Sequence, residues 1–251
     1  MRTLWNLWKR EVASAFQTPM AWVILFFLLL VTGFNFYAGV SMLNHGPSEV
    51  TVVESFFNTV FFWFPFLLLF PILTMRLYSE EYRSGTVETL MTAPVRDTQV
   101  VLAKFLGVLF LYCVLWIPTA LYFVIFQLYT RHEAAGAAGA YAGSYLLLLL
   151  IGMFFLSLGG LCSSMTRHQM TAAVMTFAIV SLFFMTGLLS FLSGHVGPFM
   201  QALSVTISPI EQMTQFSRGI IDTRTIVWYL VMTGLCLFLT LHAFQSRRWK
   251  K

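Results

Sequence analysis

The chain reads as an all-α membrane protein. It carries six transmembrane helices, an N-terminal amphipathic interfacial helix, and a cytoplasmic coupling helix between spans 2 and 3. Three observations lead there. Of 251 residues, 58% are hydrophobic and only 10% are charged, against ~25% charged in average soluble domains, so lipid must be the solvent for much of the surface. The apolar residues come in continuous charge-free runs, which favours helices over the alternating pattern of a membrane barrel. Each run also reaches the ~20 helical residues needed to cross a hydrocarbon core.

Residues 2–17 come first. Leu4, Trp5, Trp8, Val12 and Phe16 follow helical spacing, while Arg2, Asn6, Lys9, Arg10 and Gln17 fall elsewhere. Such a helix lies flat at the membrane surface. A plain anchor and a helix that also touches a partner are both open readings. Thr18-Pro19 offers a cap followed by proline at the first helical position, and span 1 covers about 20–38. Span 2 covers about 55–77, span 3 about 105–129, span 4 about 141–165, span 5 about 170–192 and span 6 about 225–244. The Ala/Gly-rich stretch 134–143 leads into span 4 as an outer linker. Gly152, Gly159, Gly160, Ser163 and Ser164 place small residues along that span and permit close helix approach. The longest outer connection, 193–224, is punctuated by Pro198 and Pro209. It repeats apolar residues every three to four positions, which predicts short interfacial helices.

Six spans put both ends of the domain on one side. Twelve Lys and Arg fall in the segments on that side and three on the other, so the positive-inside rule predicts cytoplasmic N- and C-termini. The net charge of +5 then reports basic ends near anionic lipid; no basic run with interleaved aromatics suggests a nucleic-acid partner. The N-terminal apolar run starts late and is too long for a cleavable signal peptide.

The usual chemical signatures are absent from the sequence. No P-loop occurs, so ATP is not bound by that route, and no His-Glu-x-x-His helix occurs. The five histidines and the cysteines Cys113, Cys162 and Cys236 have no metal-ligand spacing. Ser144 follows a glycine but lacks the second glycine of a nucleophile elbow. No Asp, Glu, Lys or Arg lies at mid-membrane depth, where an ion relay would keep one. Catalytic, cofactor-binding and metal residues are therefore none.

Against this apolar background, residues 78–95 stand out. Glu80, Glu81 and Glu88 are mixed there with Arg83 and flanked by Arg76 and Arg96. Span 2 is expected to run on as a helix to about Arg83. Gly85 stops it, Thr86 to Met91 can form further turns, and Pro94 ends them. Asp97-Thr98 offers a cap for span 3. Mixed charge suits a protein groove better than lipid phosphate.

The pattern Glu80-Glu81-x-Arg83-x-Gly85-Thr86-x-Glu88-x-Leu90-Met91-Thr92-x-Pro94-Val95 resembles the cytoplasmic signature of type-2 ABC exporter permeases. The branch it looks most like is the gliding-motility-associated permeases, related to those used in nitrous-oxide reductase maturation. Phe216-Ser217-Arg218-Gly219-Ile220-Ile221-Asp222, before span 6, is a second stretch similar to that branch. The resemblance covers the whole chain. It implies a permease subunit in the bacterial cytoplasmic (inner) membrane, paired with a second permease subunit as a homo- or heterodimer. A separate ABC ATPase subunit, carrying the ATP and magnesium, would dock on 78–95 and on the short link at Arg167. The implied coupling residues are Glu80, Glu81, Arg83, Gly85, Thr86, Glu88, Pro94 and Arg167. Two other classes stay in view. One is a non-transporting scaffold or mechanotransmission subunit of a motility or maturation machine; the other is a membrane-integral enzyme.

Overall fold

In the computed structural model, residues 2–43, 51–86, 96–129, 138–191 and 206–248 are described. Among them every regular element is helical. The order is α1 (Arg2–Gln17), α2 (Pro19–Leu43), α3 (Val52–Phe57), α4 (Val60–Thr74), α5 (Ser79–Ser84), α6 (Asp97–Tyr129), α7 (Ala138–Met165), α8 (Gln169–Phe191), α9 (Pro209–Ser217) and α10 (Thr223–Arg248). Six helical stretches are long and apolar enough to cross a membrane. The all-α, six-span class is therefore the one observed.

The boundaries differ from the sequence expectation in ways that have physical causes. Span 2 does not begin at 55. Asn58 and Thr59 break the apolar run into α3 and α4, and Asn35 of α2 donates its amide to the Phe56 carbonyl at 2.8 Å. Span 2 does run on past Arg83, as one stretch from Phe61 to Ser84, with a turn at residues 75–78 between α4 and α5. Span 3 begins at Asp97 rather than 105, since its polar first two turns are packed against α1 instead of being a loop. Thr18 does not cap span 1 with its side chain; its hydroxyl donates back to the Ser14 carbonyl at 2.9 Å, and Pro19 opens α2.

The glycines of α7 set the centre of the bundle. A methyl group on Gly152 would lie 2.2 Å from the Tyr112 ring of α6, and one on Gly159 would lie 2.2 Å from the Thr74 hydroxyl of α4. Both helices therefore approach α7 at backbone distance, as the small-residue stripe predicts. Around this contact Phe66, Phe70, Tyr112, Trp116 and Phe155 stack with centroids 5.0–6.1 Å apart. Offset and edge-on aromatic pairs of this kind add to simple burial. The outer helices keep large apolar side chains exposed. Trp22, Phe26, Phe34 and Tyr37 on α2 and Met170, Val174 and Leu182 on α8 are examples. In a bilayer such faces meet lipid or another apolar surface.

Helix α1 does not float free. Its Trp8 indole donates to the Leu106 carbonyl of α6 at 3.3 Å and meets the Phe110 ring edge-on at 5.5 Å. Gly107 makes room, since a methyl there would touch the Glu11 side chain at 3.0 Å. The structure docks this helix on the chain's own third span.

Candidate functional site: a hinged polar helix

The break between α4 and α5 frees backbone groups that a membrane protein must satisfy internally. A single side chain from α7 does this. The Ser163 hydroxyl accepts the Tyr78 and Ser79 amides at 3.1 and 3.2 Å and donates to the Met75 carbonyl at 3.2 Å. The Ser79 hydroxyl also donates to the Met75 carbonyl. Span 2 thus carries a turn at residues 75–78, held to the end of span 4 by one hydroxyl.

Beyond the bend, α5 is six residues long and ends at Gly85 with φ 72°. Left-handed backbone is where glycine avoids the Cβ penalty, and nothing lies within 4 Å of a methyl placed there. The helix stop at Gly85 is therefore conformational. The Ser84 hydroxyl sits 2.9 Å from that of Thr86 across the turn.

The faces of α5 divide its charges. Glu81 turns inward. Its carboxylate meets the Lys104 ammonium of α6 at 2.8 Å, and Glu11 of α1 reaches the same ammonium at 3.5 Å. Lys104 is nearly inaccessible, at 5% side-chain exposure, with Glu81 at 17% and Glu11 at 22%. It also lies 5.6 Å from the Tyr78 ring centroid. A charge that deep persists only when paired. Two carboxylates on one ammonium tie α1, α5 and α6 together. Arg10, 3.6 Å from Glu11, sits at the exposed rim of the cluster.

A second, smaller apolar cluster backs this ionic one. Tyr78, Val100 and Phe244 are buried together, with Leu7, Leu77 and Tyr82 packed on them. The base of α5 therefore touches α1, the start of α6 and the end of α10. Arg83 and Thr86 are exposed, as is Arg167 in the link between α7 and α8. Glu80 is exposed as well and borders a cleft behind α5. Glu88 and Pro94 lie outside the described residues.

The resemblance places Glu81 among the coupling residues; in the structure its carboxylate is held by Lys104, whereas Glu80 and Arg83 are exposed. Lys104 and Glu11, the other members of that ion cluster, had no role assigned from the sequence. One signal was present: Glu11 follows Trp8 by three positions and precedes Val12, so it sits beside the apolar face of α1.

At the opposite end the second motif has a structural explanation residue by residue. Phe216 is fully buried and Ser217 nearly so; the Ser217 hydroxyl donates to the Thr214 carbonyl. Gly219, at φ 82°, closes α9. The Gly219 amide bonds the Phe216 carbonyl at 2.9 Å and the Ile220 amide bonds the Gln215 carbonyl at 3.1 Å, the paired bonds of a Schellman stop. Arg218 grips Glu54 of α3 through two nitrogens, at 2.7 and 2.8 Å. Asp222 accepts the Arg224 amide at 2.8 Å and so caps α10. The stretch is a clamp that joins α3, α9 and span 6.

Six helical stretches able to cross a membrane, with a short polar helix at the end of the second, define a polytopic membrane protein. The family model described as ABC-2 family transporter protein matches residues 17–184. The chain belongs to that family. It is also 28% identical, over 225 residues, to the probable ABC transporter permease protein NosY of Pseudomonas aeruginosa, with 84% of this chain and 80% of that protein covered. The protein is thus a multi-pass ABC transporter permease, and its family is a non-catalytic membrane subunit.

Proposed function

We propose that the chain is the membrane half of an ATP-driven exporter in the bacterial cytoplasmic membrane, with the hinged end and both termini in the cytoplasm. A separate ABC ATPase subunit, holding ATP and magnesium, docks on the outward side of the segment that starts at α5 and on the link at Arg167. A second permease subunit completes the pathway. One observation carries this reading. The polar helix is joined to span 2 by a pinned bend and to α1 and α6 by a buried ion cluster, so a push on α5 is delivered to several spans at once. Arg83 and Arg167 remain exposed and available to an acidic partner surface. The exporter direction follows from the resemblance in the signature segment.

The test is reversal of the two outward cations, Arg83→Glu with Arg167→Glu. The expected result is loss of co-purification with the ATPase subunit and loss of stimulated ATP hydrolysis, with an unchanged thermal melting point. Undiminished binding by the double variant would overturn the docking surface. ATP-dependent movement of cargo in proteoliposomes separates an exporter from a scaffold that transmits force without transport.

A further inference from the structure

Behind α5 lies a cleft of about 480 Å³, walled by α1, α2, α4 and α6. That volume falls within the ~300–1,000 Å³ range of ligand sites. Its walls divide by chemistry. Ile24, Ile72, Leu73, Val108 and Leu111 form an apolar part drawn from three membrane-spanning helices. Arg10, Glu11, Arg76 and Glu80 form a polar part, beside the Lys104 cluster. Helix α1 borders both; with α1 as the interfacial helix its sequence predicts, the cleft falls at the level where headgroups meet acyl chains.

The charges select the occupant. The Lys104 ammonium already answers Glu81 and Glu11. Arg76 and Glu80 are exposed, and no ion pair is formed by either among the described residues. A simple anion would meet Arg10 and Arg76 but also Glu80 and Glu11. A simple cation would meet the reverse. A molecule with both signs at one end and hydrocarbon at the other answers every wall.

We propose that this cleft holds one zwitterionic glycerophospholipid of the surrounding leaflet. Its phosphate diester lies between Arg10 and Arg76, its headgroup ammonium meets Glu80, and its acyl chains run along the apolar wall. Guanidinium groups favour phosphate oxygens, and a carboxylate favours an ammonium. The bound lipid fills the space between α1 and α5 and becomes part of the packing there.

The test uses the full chain purified in mild detergent and then placed in nanodiscs of phosphatidylethanolamine, phosphatidylglycerol or a mixture. Native mass spectrometry with lipid extraction counts what is retained. The expected result is one phosphatidylethanolamine per chain, retained over phosphatidylglycerol. Arg10→Ala with Arg76→Ala should weaken retention on the order of tenfold, as for loss of charge-assisted bonds. Glu80→Gln should erase the preference for the ethanolamine headgroup. Ile24→Trp, which fills the apolar wall without touching a charge, should exclude the lipid while the helix content stays intact. No retained lipid, equal retention of phosphatidylglycerol, or equal retention by the Arg10/Arg76 variant would each overturn the proposal. Binding of the ATPase subunit is measured on the same samples, so loss of this site and loss of the docking surface are read separately.

Discussion

Lys104 concentrates the electrostatics of the hinged end. It is held between two carboxylates with little access to solvent. Lys104→Met removes the cation and leaves Glu81 and Glu11 facing each other. Breaking a buried pair from one side costs up to ~3–5 kcal/mol, so this variant should melt well below the wild type. Lys104→Met combined with Glu81→Met and Glu11→Met removes the three inner charges of the cluster and leaves only the exposed Arg10 at its rim. It should regain most of the lost melting temperature, because well-packed apolar replacements of buried ion groups are often neutral. The triple variant should nevertheless lose partner-stimulated ATP hydrolysis, as the ionic tie among α1, α5 and α6 is gone. Full stimulation in a stable triple variant would remove the cluster from the coupling path. The cluster was only partly legible beforehand. Glu81 was visible as part of a charged segment, but its inward direction depends on Lys104, 23 positions away, and on Glu11, 70 positions away in the opposite direction. Spacing within one helix carries no such information.

Helices that bend need a reason, and each bend here has one. The bend between α4 and α5 depends on the Ser163 hydroxyl, which serves three backbone groups. Ser163→Ala strands the Tyr78 and Ser79 amides in a buried site, at ~1–3 kcal/mol for an unsatisfied group, while the Met75 carbonyl keeps the Ser79 hydroxyl. The expected outcome is a lower melting point and faster amide exchange at Tyr78 and Ser79, measured by hydrogen–deuterium exchange. Unchanged exchange at those two amides would show that the pin lies elsewhere. At the opposite end, Gly219→Ala puts a side chain into left-handed backbone, which costs roughly 1–2 kcal/mol. It should loosen the Arg218–Glu54 clamp without affecting α5. These elements divide cleanly in legibility. The Gly85 stop could be read directly, because glycine after a short polar helix is a local signal. The 75–78 bend could not. Its residues, Met75-Arg76-Leu77-Tyr78, include no glycine or proline to mark a break, and its compensation comes from a serine 85 residues from Tyr78. The α3–α4 break was hidden in the same way, its Phe56 carbonyl being answered by Asn35 of span 1.

At the scale of the whole molecule, the six spans followed from charge and hydropathy alone, since a bilayer permits few alternatives. What the sequence left open was which parts move together. The contacts answer that by their separation. The large aromatic core around α4, α6 and α7 is one contiguous body. The small cluster around Tyr78, Val100 and Phe244 is distinct from it and sits at the hinged end. The ion cluster adds α1 to the same end. A displacement of α5 should therefore carry α1 with it through the ion cluster, while α8, which packs on α5 without an ionic contact, follows less. Spin labels read this motion. One pair joins Ala13 on α1 to Ser84 on α5, and a second joins Ser84 to Met170 at the start of α8; all three residues are exposed. With the ATPase subunit present, addition of ATP should leave the first distance unchanged. It should move the second by ~2 Å or more, the scale of helix shifts in switching proteins. A change in the Ala13–Ser84 distance as large as that in Ser84–Met170 would mean that α5 moves alone, and that the Lys104 cluster is a structural tie rather than a link in transmission.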